Sequence, residues 1–190
     1  MVNSKPAVCV FCGSSPGRNA AYAEAARRFG TLLGEAGFDL VFGAGYIGLM
    51  GEVARAARAG GAKVTGVLPE FLRHLEPPSS GEETVLITPD LQERKRRMLS
   101  LADAFAVLPG GLGTLDEFFE VVTSAQLHAL DKPIVLLDSA GFFEPVERLI
   151  GHIVAQGFAQ ESIRAHYRRA ATPEDAIAHL KAALHRAPRR

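Results

Sequence analysis

The chain has 190 residues, 47% of them hydrophobic, with 21 basic and 21 acidic side chains. That is enough for one α/β domain with a real core, and too apolar for a disordered chain. The balanced charge offers no basic excess to nucleic acid or an anionic membrane, and no apolar run nears the about 18–20 residues of a membrane span.

The first apolar stretch, Ala7 to Phe11, is too short for a signal peptide and reads as a first strand, so a cytoplasmic protein is expected. Further strands are predicted near 39–42, 63–67, 83–87, 104–108 and 133–137. Helices are predicted near 20–36, 48–59, 89–101, 114–129, 143–156 and 173–185. Regular alternation with apolar strands predicts an α/β fold, a doubly wound parallel sheet with helices on both faces. Gly37 and Gly60-Gly61 are placed to end helices, and Thr172 before Pro173 to begin one. Pro77-Pro78-Ser79-Ser80-Gly81 is the clearest loop and too short to link separate domains, so residues 1–190 read as a single domain. Residues 187–190 read as a frayed tail.

Ligands in such sheets bind beyond the carboxyl ends of the strands. Four glycine-bearing segments fall there: Cys12-Gly13-Ser14-Ser15, Gly43-Ala44-Gly45-Tyr46-Ile47-Gly48, residues 66–69, and residues 108–117, which read LPGGLGTLDE. In the last, Gly110, Gly111 and Gly113 let the backbone turn tightly and approach a ligand, and a helix follows. Unpaired N–H groups and the helix dipole make such a junction a site for phosphate. Thr114-x-x-Glu117 also has the spacing of a capping box, with Asp116 and Glu117 in the first helical turn. Gly43-x-Gly45-x-x-Gly48 matches the dinucleotide fingerprint. It follows the second strand, however, and Pro69 intervenes before the only acid at the end of the next, Glu70, so NAD(P) binding is not expected.

Cys9 and Cys12 have C-x-x-C spacing. A strand at Cys9 directs the two thiols to opposite faces, and no second pair or nearby His completes a metal site. They are expected to be a buried thiol and a loop-entry thiol. In the run Glu93-Arg94-Lys95-Arg96-Arg97-Met98, a helix puts Arg94 on the face of Met98, while Lys95 and Arg96 point elsewhere. Arginine suits bidentate contact with phosphate or carboxylate. The six histidines are scattered and no G-x-S-x-G is present, so neither a metal nor an acyl-enzyme mechanism is supported.

Pro-Gly-Gly-x-Gly-Thr-x-x-Glu, here Pro109 to Glu117, together with Arg94-Lys95, resembles the Lonely Guy (LOG) family of cytokinin-activating phosphoribohydrolases. Cys9 to Ser15, Gly48-Leu49-Met50-Gly51, the Gly60-Gly61 to Pro69 stretch, Asp103-Ala104-Phe105, Lys132-Pro133 and Gly157-Phe158 agree with it, over about residues 7–160. Members were long labelled lysine decarboxylases, but no lysine here stands where a pyridoxal phosphate site needs one. The resemblance implies a Rossmann-like homodimer without a cofactor. It implies hydrolysis of the N-glycosidic bond of a nucleoside 5′-monophosphate, an N6-modified AMP or AMP itself, to free base and ribose 5-phosphate. It also implies that Arg94 and Glu117 are catalytic and that Gly110, Gly111, Gly113 and Thr114 hold the phosphate. Ser14, Glu76, Lys95, Asp116 and Thr123 would line the nucleotide site.

The chain departs from the family at Leu91-Gln92 (usually Met-His), at Gly43-Ala44-Gly45 (three glycines), at Asp116 (Glu) and at Ser124 (Trp). These changes leave the catalytic pair intact and bear on substrate preference. Proteins with the same glycine loop also resemble molybdenum-cofactor carriers, so a non-catalytic nucleotide or cofactor carrier is the alternative.

Overall fold

In β1 (Ala7–Phe11) successive side chains alternate between the faces of the sheet, and Val8, Cys9, Val10 and Phe11 are all buried. A strand buried on both sides needs cover on both sides. The computed structural model, which describes residues 5–74 and 84–186, shows that cover. After β1 come α1 (Ala20–Glu35), β2 (Asp39–Phe42), α2 (Gly48–Ala59), β3 (Val64–Pro69), β4 (Thr84–Thr88) and α3 (Leu91–Leu101). They are followed by β5 (Ala104–Val107), α4 (Leu112–Gln126), β6 (Ile134–Leu137), α5 (Glu144–Ala155), β7 (Arg168–Ala170) and α6 (Pro173–Arg186).

Among the described residues the strands form one parallel sheet in the order β4-β3-β2-β1-β5-β6-β7. The chain winds outward from β1 to β4, then returns to lay β5 on the other flank of β1. That reversal opens a crevice between the carboxyl ends of β1 and β5, where ligands of such sheets sit. One core joins Val8 and Val10 to Phe29 and Leu33 of α1, Leu49 and Val53 of α2, and Ile177 and Leu180 of α6. The other joins Cys9 and Phe11 to Met98 of α3, Phe118 and Val121 of α4, and Val146 and Ile150 of α5. Phe11 stacks on Phe105 at 5.8 Å between ring centroids, and each such buried ring contributes roughly 1.5–3 kcal/mol.

The two thiols fall on opposite faces as the spacing predicts, Cys9 in one core and Cys12 in the other, both free and buried. Gly37 (φ 80°) and Gly61 (φ 90°) take the left-handed conformation that closes α1 and α2. Thr172 caps α6, its Oγ1 accepting from Asp175 N at 3.1 Å.

Three departures from the sequence-based expectation bear on the sheet and the site. β3 runs two residues past 67, because Leu68 and Pro69 still pair with Ile87 and Thr88. β7, with two exposed arginines in three residues, has no apolar run to announce it. It pairs with β6, and Arg169 is tied to Asp138 and Glu144. The third is α4, which begins at Leu112 rather than at Thr114. The loop at 77–81, the tail at 187–190 and Glu76 lie outside the described residues.

Candidate active site

The loop after β5 enters α4 with no side chain at its head. Gly111 is the N-cap and makes no side-chain cap bond. Leu115 is the first residue to donate into the helix, to Gly111 O at 3.1 Å. The N–H groups of Leu112, Gly113 and Thr114 precede it and have no partner within the helix. Gly111, Leu112 and Gly113 are exposed, and a Cβ on either glycine would meet nothing within 4 Å. The result is an open cradle of backbone donors with the positive end of the helix dipole behind it.

The capping box is therefore not made. Thr114 is the third helical residue, buried against Gly110, so closely that a Cβ on Gly110 would overlap Thr114 Oγ1. Asp116 and Glu117 fall in the second turn, and the first carries no acid. Gly110, Gly111 and Gly113 all have negative φ, so close packing at Gly110 and open space at the other two explain these glycines better than backbone freedom.

The β1 loop locks this cradle to α2. Gly13 N donates to Pro109 O at 3.0 Å, and Gly13 O accepts from Leu49 N and Met50 N at 3.0 and 3.2 Å. Gly48 (φ 58°) must lack a side chain, since a Cβ there would collide with the Ser14 carbonyl. The fingerprint-like glycines thus serve the chain's own packing. At Gly43 a Cβ would overlap the Arg94 guanidinium.

Arg94 enters from α3, which Asp90 caps by accepting from Glu93 N at 2.7 Å. Its side chain is 15% exposed. Nε donates to Val67 O at 3.1 Å and Nη2 to Gly43 O at 3.3 Å, so the ends of β3 and β2 aim the guanidinium. Nη1 then faces Glu117 Oε1 at 3.4 Å. That is long for a charge-assisted bond, about 2.7–2.9 Å in typical cases, and leaves the carboxylate able to take a further partner. Glu117 is 11% exposed. Burial pushes its carboxyl up to about 7, against the pull of Arg94 and of Lys95 and with help from Asp116 and Glu120. A carboxyl poised near neutrality can hold or release a proton at working pH.

Lys95 does not point away as the helical reading expects. Its side chain is 14% exposed, with Nζ 3.1 Å from Asp116 Oδ2 and 2.9 Å from Glu120 Oε2. Arg96, at 72%, and Arg97 are the exposed members of the run. Sequence reasoning did not single out Glu120. Its signal was the four-residue step from Asp116, which puts both on one stripe of α4. Of the residues expected at the site, Arg94, Lys95, Asp116 and Glu117 come together, and Gly110, Gly111, Gly113 and Thr114 form the adjoining cradle. Ser14 is exposed at the same rim, beside Gly48. Thr123 is exposed one turn beyond Glu120.

The chain matches a protein family described as "Possible lysine decarboxylase" over residues 50–180. It is 42% identical to the cytokinin riboside 5′-monophosphate phosphoribohydrolase LOG of Oryza sativa subsp. japonica, over 92% of this chain and 72% of that protein. It is also 42% identical to the phosphoribohydrolase LOG1 of Arabidopsis thaliana, over 83% of this chain and 74% of that protein. Among solved structures, the molybdenum-cofactor carrier protein of Chlamydomonas reinhardtii superposes with a TM-score of 0.71 at 23% identity, over 96% of this chain and 99% of that one. That likeness shows the shared α/β fold alone.

Proposed function

This chain belongs to the LOG phosphoribohydrolase family, and from that premise we propose that it hydrolyses the N-glycosidic bond of a nucleoside 5′-monophosphate, releasing free base and ribose 5-phosphate. The observation that carries the reading is the partly buried Arg94–Glu117 pair beside the open N-terminus of α4.

The division of labour follows from charge. Free N–H groups at the head of α4 hold the phosphate, with Gly111 and Gly113 leaving room for it and Gly110 and Thr114 shaping the turn. Phosphate binding energy then fixes the sugar, so that remote contacts serve orientation at the reacting carbon. Breaking the C–N bond builds positive charge on the ribose, as in glycoside hydrolysis. An anionic Glu117 stabilises that charge, directs the attacking water to the anomeric carbon and accepts its proton, while the base departs with the C–N bonding pair and takes up a proton from solvent. Arg94 keeps Glu117 in place from the fixed frame of Val67 O and Gly43 O. Ser14 and Thr123 are assigned to the surroundings of the nucleotide.

The substrate base is proposed to be adenine or an N6-substituted adenine. The assembly is proposed to be a homodimer, supported by the large exposed apolar side chains Leu127 and Phe158. No helix among the described residues is long and apolar enough to cross a membrane, and a cytoplasmic location is proposed.

Chromatography after incubation with AMP and with isopentenyl-AMP tests the reading. Free base is expected from the wild type and not from Glu117→Gln. Tight nucleotide binding without turnover would mark the protein as a carrier instead.

A further inference from the structure

Arg94 and Lys95 of α3 together face three carboxylates within two turns of α4, and the nucleotide reaction as described uses only one of the two cations. Lys95 is the other. Its ammonium has three donors, and the carboxylates of Asp116 and Glu120 each lie within 3.1 Å. Its pKa is held above the ordinary value, first by the ion pair with Glu120 and also by the hydrogen bond to Asp116. Glu117 sits between these partners, next to Asp116 and three residues before Glu120.

We propose that Lys95 is a positioning residue that clamps α3 to α4 and shields Glu117 from two neighbouring carboxylates, and that Glu120 belongs to this clamp. The inference rests on the hydrolase reading for its kinetic test. Arg94 is aimed from behind by the ends of β2 and β3, and the Lys95 clamp holds the facing helix one residue along. Together they set the distance between guanidinium and Glu117. The groups that act on Glu117 are Arg94 and Lys95 from α3 and Asp116 and Glu120 from its own helix, and its charge reaches the thiols of Cys9 in β1 and of Cys12 just after it. Burial, first, and then the Glu117 charge push both thiols up, so they stay neutral at working pH. The ionic balance at Glu117 is therefore set by two cations against two carboxylates. Removing Lys95 leaves Asp116 and Glu120 to oppose ionisation of Glu117. Removing Glu120 takes away one of its opponents.

The pH profile of kcat/KM with AMP tests this in both directions. Lys95→Met should move the acidic limb to higher pH by on the order of one unit. Lys95→Arg should restore it, and Glu120→Gln should move it to lower pH. General loosening of the helices would not shift the limb in opposite senses for two variants. A limb that stays in place in Lys95→Met, whatever KM does, or that fails to move in opposite directions in the two variants, would overturn the clamp. If the wild type proves not to hydrolyse nucleotides, carbon-13 titration of the Glu117 carboxyl in the same variants decides the matter without turnover. The same opposed shifts support the clamp there, and coincident titrations overturn it.

Discussion

Replacing Glu117 with Gln should abolish turnover and yet stabilise the protein, by an amount that grows with pH. Burial pushes the folded carboxyl from its ordinary 4.5 up to about 7. Between those values the folded state keeps a proton that the unfolded chain has lost, so stability falls as pH rises through this window. One pH unit corresponds to about 1.4 kcal/mol, which makes the ionisation penalty about 1 kcal/mol at pH 5 and roughly 3 kcal/mol at pH 8. Gln carries no such penalty and resembles the neutral acid that the wild type holds at pH 5. Every other titrating group is common to both proteins. The difference in unfolding free energy between variant and wild type should therefore change by about 2–3 kcal/mol in favour of Gln between pH 5 and 8. Urea denaturation at the two pH values measures it, and the corresponding change in Tm difference is about 5–10 °C for a domain of this size. Wild-type and Gln stabilities that run parallel in pH would refute the reasoning. They would show that burial does not hold Glu117 neutral.

Gly43→Ala pushes the guanidinium out of its frame, and because the obstructing atoms are the far end of a flexible side chain, activity should fall by ~100-fold or more while stability changes little. Steady-state kinetics beside thermal melts separates the two effects. Gly110→Ala drives a methyl into Thr114 and should cost about 1–3 kcal/mol in a denaturation curve. Gly111→Ala and Gly113→Ala meet open space, so they should stay within about 0.5 kcal/mol of the wild type and instead raise KM for AMP. Asp90→Ala removes the cap of the helix that carries Arg94 and should cost about 1 kcal/mol of stability, read from the same denaturation curves.

The strands were legible because a parallel strand buried on both faces is written as a short apolar run, as in Ala104-Phe105-Ala106-Val107. β7 was not, because an edge strand of two arginines and an alanine owes its existence to β6 and to Asp138 and Glu144. The start of α4 was misplaced for a different reason. Thr114-x-x-Glu117 fits a capping box by spacing, and spacing cannot show that Thr114 is taken up by packing on Gly110 and Glu117 by Arg94.

The sequence by itself determined the order of the elements apart from β7 and the glycine loop after the fifth strand, and its resemblance to the LOG family named Arg94 and Glu117 as candidates. The elements and the loop are local patterns of apolar period and glycine, which a single stretch of chain carries. Only the tertiary structure decided that Lys95 turns inward with Glu120, that Gly43 leaves room for the Arg94 guanidinium, and that Glu117 is buried enough to titrate near neutral pH. Each of those depends on residues brought together by the winding of the sheet, and desolvation and charge proximity exist only once that winding is complete.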